Sequence, residues 1–211
     1  MAGVYKNVVG TDTSKQQLAF ASKLPNIHYV QTPPNMPLSN LERKVAQHET
    51  VDLVTVAQAI HWFDLPTFYQ QVKWVLKKPN GVLAVWCYLE PVVNEAVDTV
   101  YWKLYNESGP YWDPARKLVD DRYRSIDFPF EPVDGMDHTG PFEFVTERKM
   151  DLDDYLTYIR SRASYQTAKS KGVELLSKDV IENFERAWAS EDGNQKVVHY
   201  PVFLRIGKVG I

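Results

Sequence analysis

The residues with the most chemical potential stand together as Gln58-Ala59-Ile60-His61-Trp62-Phe63-Asp64, directly after the apolar run Asp52–Ala57 (DLVTVA). An amide, an imidazole and two large rings are an unusual set for the end of a buried strand. In open α/β sheets, ligands bind outside the carboxyl ends of the strands. There His61 can act as a general base or orient a substrate oxygen. The other reading is a packed, hydrogen-bonded histidine. Trp62 and Phe63 then serve as pocket wall or as core. A second candidate is Asp12, which follows the run YKNVVG. A carboxylate at a strand end can accept hydrogen bonds from both hydroxyls of a ribose. It can also cap the next helix, a role for which Ser14 is available too. Thr32-Pro33-Pro34 could lie along a flat ring such as adenine, or form a stiff turn. Asp113, Arg116, Asp120 and Asp121 could hold a polar substrate, or pair on the surface.

Several chemistries have no support. There is no GxGxxG, no phosphate loop GxxxxGK[ST], no HExxH, no CxxC and no GxSxG. The five histidines, His28, His48, His61, His138 and His199, are scattered, so no metal site is expected. A net charge of -3 favours neither nucleic acid nor an anionic membrane. With 44% hydrophobic and 24% charged residues over 211, the chain can bury a core within one domain, residues 1–211. Cys87 is the only cysteine, which fits a reducing compartment. No apolar run approaches the ~20 residues needed to span a bilayer. The expectation is a cytoplasmic protein acting on a small molecule. Six tryptophans and twelve tyrosines would suit an aromatic-lined pocket, or simply a core and surface.

The elements that must position these residues alternate in the first half. Buried strands are expected at Tyr5–Gly10, Ile27–Gln31, Asp52–Ala57 and Gly81–Cys87, with helices at Lys15–Lys23, Leu38–Gln47 and Leu65–Lys77. Asp52–Ala57 is apolar enough for a parallel sheet covered on both faces. Phe68, Val72, Val75 and Leu76 share one helical face. Strand-helix-strand spacing predicts right-handed βαβ units. The second half reads as a helix at Val92–Tyr105 and an irregular stretch at Ser108–Pro132, both within a cap near residues 92–140, and then a strand at Phe142–Met150. Helices at Leu152–Arg162 and Ser177–Ala189 follow, then a long strand or hairpin at Lys196–Val209, with Pro201 marking a bulge or an edge.

The string NVVGTDTS, then TPPNMP, then VDLVTVAQAIHWFDLPTFYQQVKWVLKKPNGVLAVWCY resembles the class I S-adenosylmethionine-dependent methyltransferases. The likeness is nearest to the plant, embryo-abundant branch of the type-11 group. It continues through YWDPARKLVDDRYRSIDFPFEPVDGMDHTGPFEFVTERKMDLDDY to VVHYPVFLRIGKVG. The resemblance implies a Rossmann-like α/β fold with strand order 3-2-1-4-5-7-6 and a helical cap insertion. It implies S-adenosylmethionine as cofactor, with Asp12 and Thr13 at the ribose and Pro33 near the adenine. Gln58 and Ala59 would lie near the sulfonium end, His61 at the reacting centre, and Trp62 and Phe63 in the substrate pocket. Only Met1-Ala2-Gly3-Val4 precede the strand carrying Asp12, so the family's strand 1 and its D-x-G-x-G loop have no counterpart here. The chain therefore reads as N-terminally truncated, with impaired cofactor binding. The alternative is a non-catalytic or repurposed small-molecule binder. A sheet without its strand 1 must close the gap, exchange elements with a second copy, or stay partly loose, so a homodimer is among the expectations.

Overall fold

The computed structural model describes residues 1–189 and 194–210. Strands β1 (Val8–Asp12) and β2 (Ile27–Gln31) pair in parallel, from Val8 opposite Ile27 to Asp12 opposite Gln31. Strands β3 (Leu53–Ala57) and β4 (Val82–Tyr88) form a second parallel pair. Strands β5 (Phe142–Met150) and β6 (Lys196–Lys208) complete that second sheet, with β6 antiparallel to both β4 and β5. The two sheets run β1-β2 and β3-β4-β6-β5. Taken as β2-β1 and β3-β4-β6-β5, these are the two flanks of the order 3-2-1-4-5-7-6. Among the described residues nothing pairs with the second edge of β1 or of β3.

That open edge corrects one expectation. β3 is not sealed on both faces: only Val56 is buried, Leu53, Val54 and Thr55 are half-buried, and Ala57 is exposed. The residues are apolar enough for an enclosed strand, but a strand with one neighbour lacks half of its flanking cover. β1 also begins later than expected, at Val8. The Asn26 side-chain amide explains this. It donates to the carbonyls of Ala2 and Tyr5, at 2.8 and 2.9 Å, and holds the first residues in a turn. Gly10 permits the close strand pairing, since a Cβ there would lie 2.7 Å from the Tyr29 ring.

Helices α1 (Lys15–Ala19), α2 (Leu38–Lys44) and α3 (Leu65–Val75) follow β1, β2 and β3. Ser14 caps α1 by accepting from Gln17 N–H at 3.2 Å. α3 buries Tyr69 and Val72 against the second sheet, joined by Leu76 at its end, and Val75 is also buried. Period-2 alternation splits the second sheet between two apolar layers. Leu83, Val85 and Cys87 of β4 and Phe203 of β6 join α3 and the cap residues Val119, Tyr123, Ile126 and Phe128. Val198 and Tyr200 of β6 face the helices α4 (Glu95–Glu107), α6 (Leu152–Ser161), α7 (Ala163–Ser170) and α8 (Lys178–Trp188). α7 is an addition to the expected elements.

The expected cap contains the short helix α5 (Arg116–Asp120) and consecutive left-handed residues Arg122 and Tyr123, at φ 59° and 58°. Arg205, nearly buried on β6, fastens it by donating to the carbonyls of Tyr123 and Ile126, at 2.9 and 3.2 Å, and to Thr139. β6 is one continuous strand, not a hairpin, and it is central, so Pro201 marks no sheet edge. Pro201 falls one position past the last β4 pair, Tyr88 opposite Val202; its carbonyl still accepts from Leu89 N–H at 2.9 Å, and the donor it lacks costs one bond just beyond the end of β4.

Candidate functional site

The parallel strands all end at one side of their sheets, and each ending carries a polar group. Asp12 is the last residue of β1. One of its carboxylate oxygens accepts Ser14 N–H at 2.7 Å, and the other has no hydrogen-bond partner among the described residues. The carboxylate therefore does both things expected of it: it organises the turn into α1 and keeps acceptor capacity outward. Thr13 is exposed, and its carbonyl accepts from the Gln31 amide at 3.0 Å. Pro33 is exposed in the loop after β2. That loop is tied down three residues on, where Met36 is buried and its carbonyl accepts from the Gln71 amide of α3 at 2.5 Å. This bond links the β1-β2 layer to the second sheet.

Gln58 follows β3 with φ 52°, in the left-handed region that costs a non-glycine residue ~1–2 kcal/mol. Its backbone N–H donates to the Trp86 carbonyl at 2.8 Å. Its side chain accepts from Tyr88 N–H at 2.8 Å and donates to the Tyr88 carbonyl at 3.3 Å. The amide thus acts as an extra ladder rung joining the ends of β3 and β4. Strain of this kind at a ligand edge marks functional sites more often than chance placement does. The single turn Ile60–Trp62 then buries Ile60 completely and turns Trp62 outward, 53% exposed. Phe63 is 39% exposed and packs on Phe68, with ring centroids 4.9 Å apart. Ala59 is half-buried at the start of that turn.

His61 Nδ1 lies 2.9 Å from the Tyr123 hydroxyl, a buried group on the cap. Burial, with the nearby Arg116 guanidinium adding to it and Asp113 opposing, lowers the imidazole pKa to about 4. The ring is therefore neutral at neutral pH. Its Nε2 is the remaining polar atom, able to orient a proton on a substrate but a poor proton acceptor by strength alone. The histidine is thus packed and hydrogen-bonded, and its second ring nitrogen has no hydrogen-bond partner among the described residues.

Sequence reasoning missed the largest polar cluster. Glu90, two residues past β4, is 6% exposed. Its Oε1 accepts from Arg116 Nη2 at 2.5 Å and from Arg162 Nη2 at 2.7 Å; its Oε2 meets Arg162 Nη1 and the Tyr101 hydroxyl. Arg116 also donates to Asp120 at 2.8 Å. Trp112 lies between the two guanidinium groups, 4.7 Å from that of Arg116 and 5.0 Å from that of Arg162. A carboxylate just after a buried strand was the available signal. Arg116, expected to hold a polar substrate or to pair on the surface, does pair with Asp120 but is mostly buried, and Arg162 is expected only as a helix end. The small cavity beside this cluster, about 20 Å³, is lined by Trp112, Arg162, Tyr101 and Tyr105 and has room for about one water. Asp12, Gln58, His61 and Trp62 do not line it. They stand at or just past the carboxyl ends of β1 and β3, a strand-end shelf whose two strands belong to separate sheets. Among the described residues no group of three or more histidine, cysteine or acidic side chains could hold a metal ion.

Residues 1–85 match a family model described as a methyltransferase domain. A Dictyostelium discoideum protein whose provisional description is methyltransferase is 31% identical over 214 residues, spanning 99% of this chain and 76% of its own length. A Saccharomyces cerevisiae protein, provisionally described as S-adenosylmethionine-dependent, is 30% identical over 129 residues, or 58% of this chain and 41% of its own. The solved structure of an Anaeromyxobacter dehalogenans protein, provisionally a type II methyltransferase, superposes with a TM-score of 0.77 at 24% identity, covering 98% of this chain and 82% of that one. The fold is the Rossmann-like α/β fold of class I methyltransferases. The chain belongs to that S-adenosylmethionine-dependent methyltransferase family, whose cofactor is S-adenosylmethionine. No helix among the described residues is long and apolar enough to cross a membrane.

Proposed function

We propose that this chain is a methyltransferase-fold protein for a small-molecule acceptor whose own residues hold the cofactor only weakly. The observation that carries this reading is the pair of unpaired edges, β1 and β3, with Asp12 and Gln58 at their carboxyl ends. The residues present fit the cofactor at its ribose: Asp12 keeps one carboxylate oxygen without a partner among the described residues, suited to vicinal hydroxyls. They do not supply a backbone cradle for the amino-acid end, since no described strand and turn lie beside β1's free edge. When bound, S-adenosylmethionine supplies an electrophilic methyl group. Asp12 and Thr13 would hold the ribose, Pro33 would flank the adenine, and the turn at Gln58 and Ala59 would face the sulfonium end. Trp62 and Phe63 present exposed rings against which an acceptor can settle. His61 would orient the acceptor's proton through Nε2. Methyl transfer needs alignment more than acid-base strength, so a neutral histidine is sufficient.

Each hydrogen bond absent at the amino-acid end forgoes ~0.5–1.5 kcal/mol, and more where charge is involved. Several together cost a few kcal/mol, at tenfold in affinity per ~1.4 kcal/mol. Calorimetry of the 211-residue chain with S-adenosylhomocysteine is expected to show millimolar affinity that disappears in D12A. Low-micromolar affinity, or binding indifferent to Asp12, would overturn this reading. A non-catalytic binder is the second reading. It is favoured by the Gln58 amide, whose two ends are both spent on Tyr88. Transfer of labelled methyl to acceptor mixtures at saturating cofactor separates the two.

A further inference from the structure

We propose that two copies of this chain join through β5, antiparallel and centred on Thr146, so that two four-stranded sheets become one of eight strands. β5 ends its sheet and pairs with β6 alone among the described residues. Its seven residues Glu143 to Lys149 are all exposed, so both faces of the strand are bare as well as its edge. Phe144 and Val145 are 55% and 63% exposed, and they stand on opposite faces. A long edge with unpaired N–H and C=O groups is a template for another strand. Charges on such an edge usually deter pairing, and β5 carries Glu143, Glu147, Arg148 and Lys149. The question is which strand those charges admit.

Symmetry limits the answer. A two-fold axis normal to the sheet leaves every residue on its own face. Residues directly opposite one another share a face. In antiparallel self-pairing the two positions must therefore sum to an even number, and one residue meets its own copy. If Val145 met its copy, Glu143 would oppose Glu147 of the partner subunit, twice. If Glu147 met its copy, two carboxylates would face each other at the centre. Centring on Phe144 overlaps only residues 142–146. Centring on Thr146 overlaps the whole strand, Phe142–Met150. It sets Glu143 opposite Lys149 of the partner subunit and Phe144 opposite Arg148 of the partner subunit, each twice. Opposite charges and an arginine against a ring are favourable cross-strand pairs. The self-complementary order Glu-Phe-Val-Thr-Glu-Arg-Lys thus selects a second copy of itself. Within one chain Glu143 also lies 3.4 Å from Arg122 and 3.7 Å from Arg124, but these groups are exposed and leave the carboxylate accessible. The expected association of two copies is here assigned to β5, which lies at the opposite end of its sheet from β3's free edge and so leaves the strand-end shelf untouched.

The test is sedimentation equilibrium of the full chain, expected to give a dimer. E143K places lysine charges opposite each other, and K149E does the same with carboxylates. Both positions are exposed, so each variant should keep the parent's circular dichroism while its self-association weakens by about tenfold or more. An equimolar mixture of the two variants should regain dimer, because each introduced charge then meets its opposite. A monomeric parent, a dimer unmoved by either substitution, or a mixture that stays monomeric would overturn the proposal.

Discussion

Replacing Glu90 by glutamine tests the central polar cluster at nearly constant volume. The Glu90 side chain is 7% exposed, and those of Arg116 and Arg162 are 11% each. Glutamine removes the charge and leaves one acceptor oxygen for guanidinium donors that now share two. Arg116 retains Asp120 at 2.8 Å, whereas Arg162 retains only aromatic faces and the hydroxyls of Tyr101 and Tyr158. Removing one member of a buried ion network costs ~3–5 kcal/mol. Asp120 and the rings offset part of that, so about 3 kcal/mol is expected. At ~2–4 °C per kcal/mol for a chain of this size, the melting temperature should fall by roughly 6–12 °C. Denaturant unfolding should show the same loss at an unchanged slope. The double variant E90Q/R162M removes the stranded guanidinium as well and should recover at least ~1 kcal/mol relative to E90Q. An E90Q protein within ~1 kcal/mol of the parent would refute the view that this carboxylate anchors α5 and α6 to the end of β4.

Titrating His61 by NMR should give a midpoint near 4, far below the ordinary 6.5. The unfolded chain takes up this proton near 6.5 and the folded chain only near 4, so the folded state loses stability as pH falls through that window. H61N should flatten that slope, and a midpoint at or above 6.5 would contradict the packing described. At Gln58, substitution by alanine leaves Tyr88 N–H and C=O without their partners and should cost ~1–3 kcal/mol. Because φ there is 52°, Q58G should be more stable than Q58A by about 1 kcal/mol, the reverse of the usual order; equal stabilities would show that the backbone relaxes.

The core of β4 was legible because it is an unbroken apolar run between turn signals, and Ile27–Gln31 forms as expected although His28 and Gln31 interrupt it. Helix starts were legible where Ser14, Asp151 and Ser177 cap, but not at α4, where Asn94 caps a helix that begins at Glu95, three residues after the expected Val92. α7 escaped notice because Ala163–Ser170 carries only Tyr165 and alanines as apolar residues, and it follows α6 after the single extended residue Arg162. The degree of burial of β3 was not legible, since an apolar run reports what a strand could bury and not which neighbours arrive. Asp12, Gln58 and His61 were singled out by their expected place at strand ends, and the structure puts them at or just past the ends of β1 and β3. Glu90 was not connected to its cluster because its partners lie 26 and 72 residues away, a separation no local pattern reveals.

The most direct test of the account is a backbone-amide NMR titration of the 211-residue chain with S-adenosylhomocysteine. Saturable shifts confined to the strand ends, at Asp12, Thr13 and residues 58–62, are expected, with a millimolar midpoint. Shifts centred instead on the cavity beside Trp112 and Arg162, or none at Asp12, would contradict it.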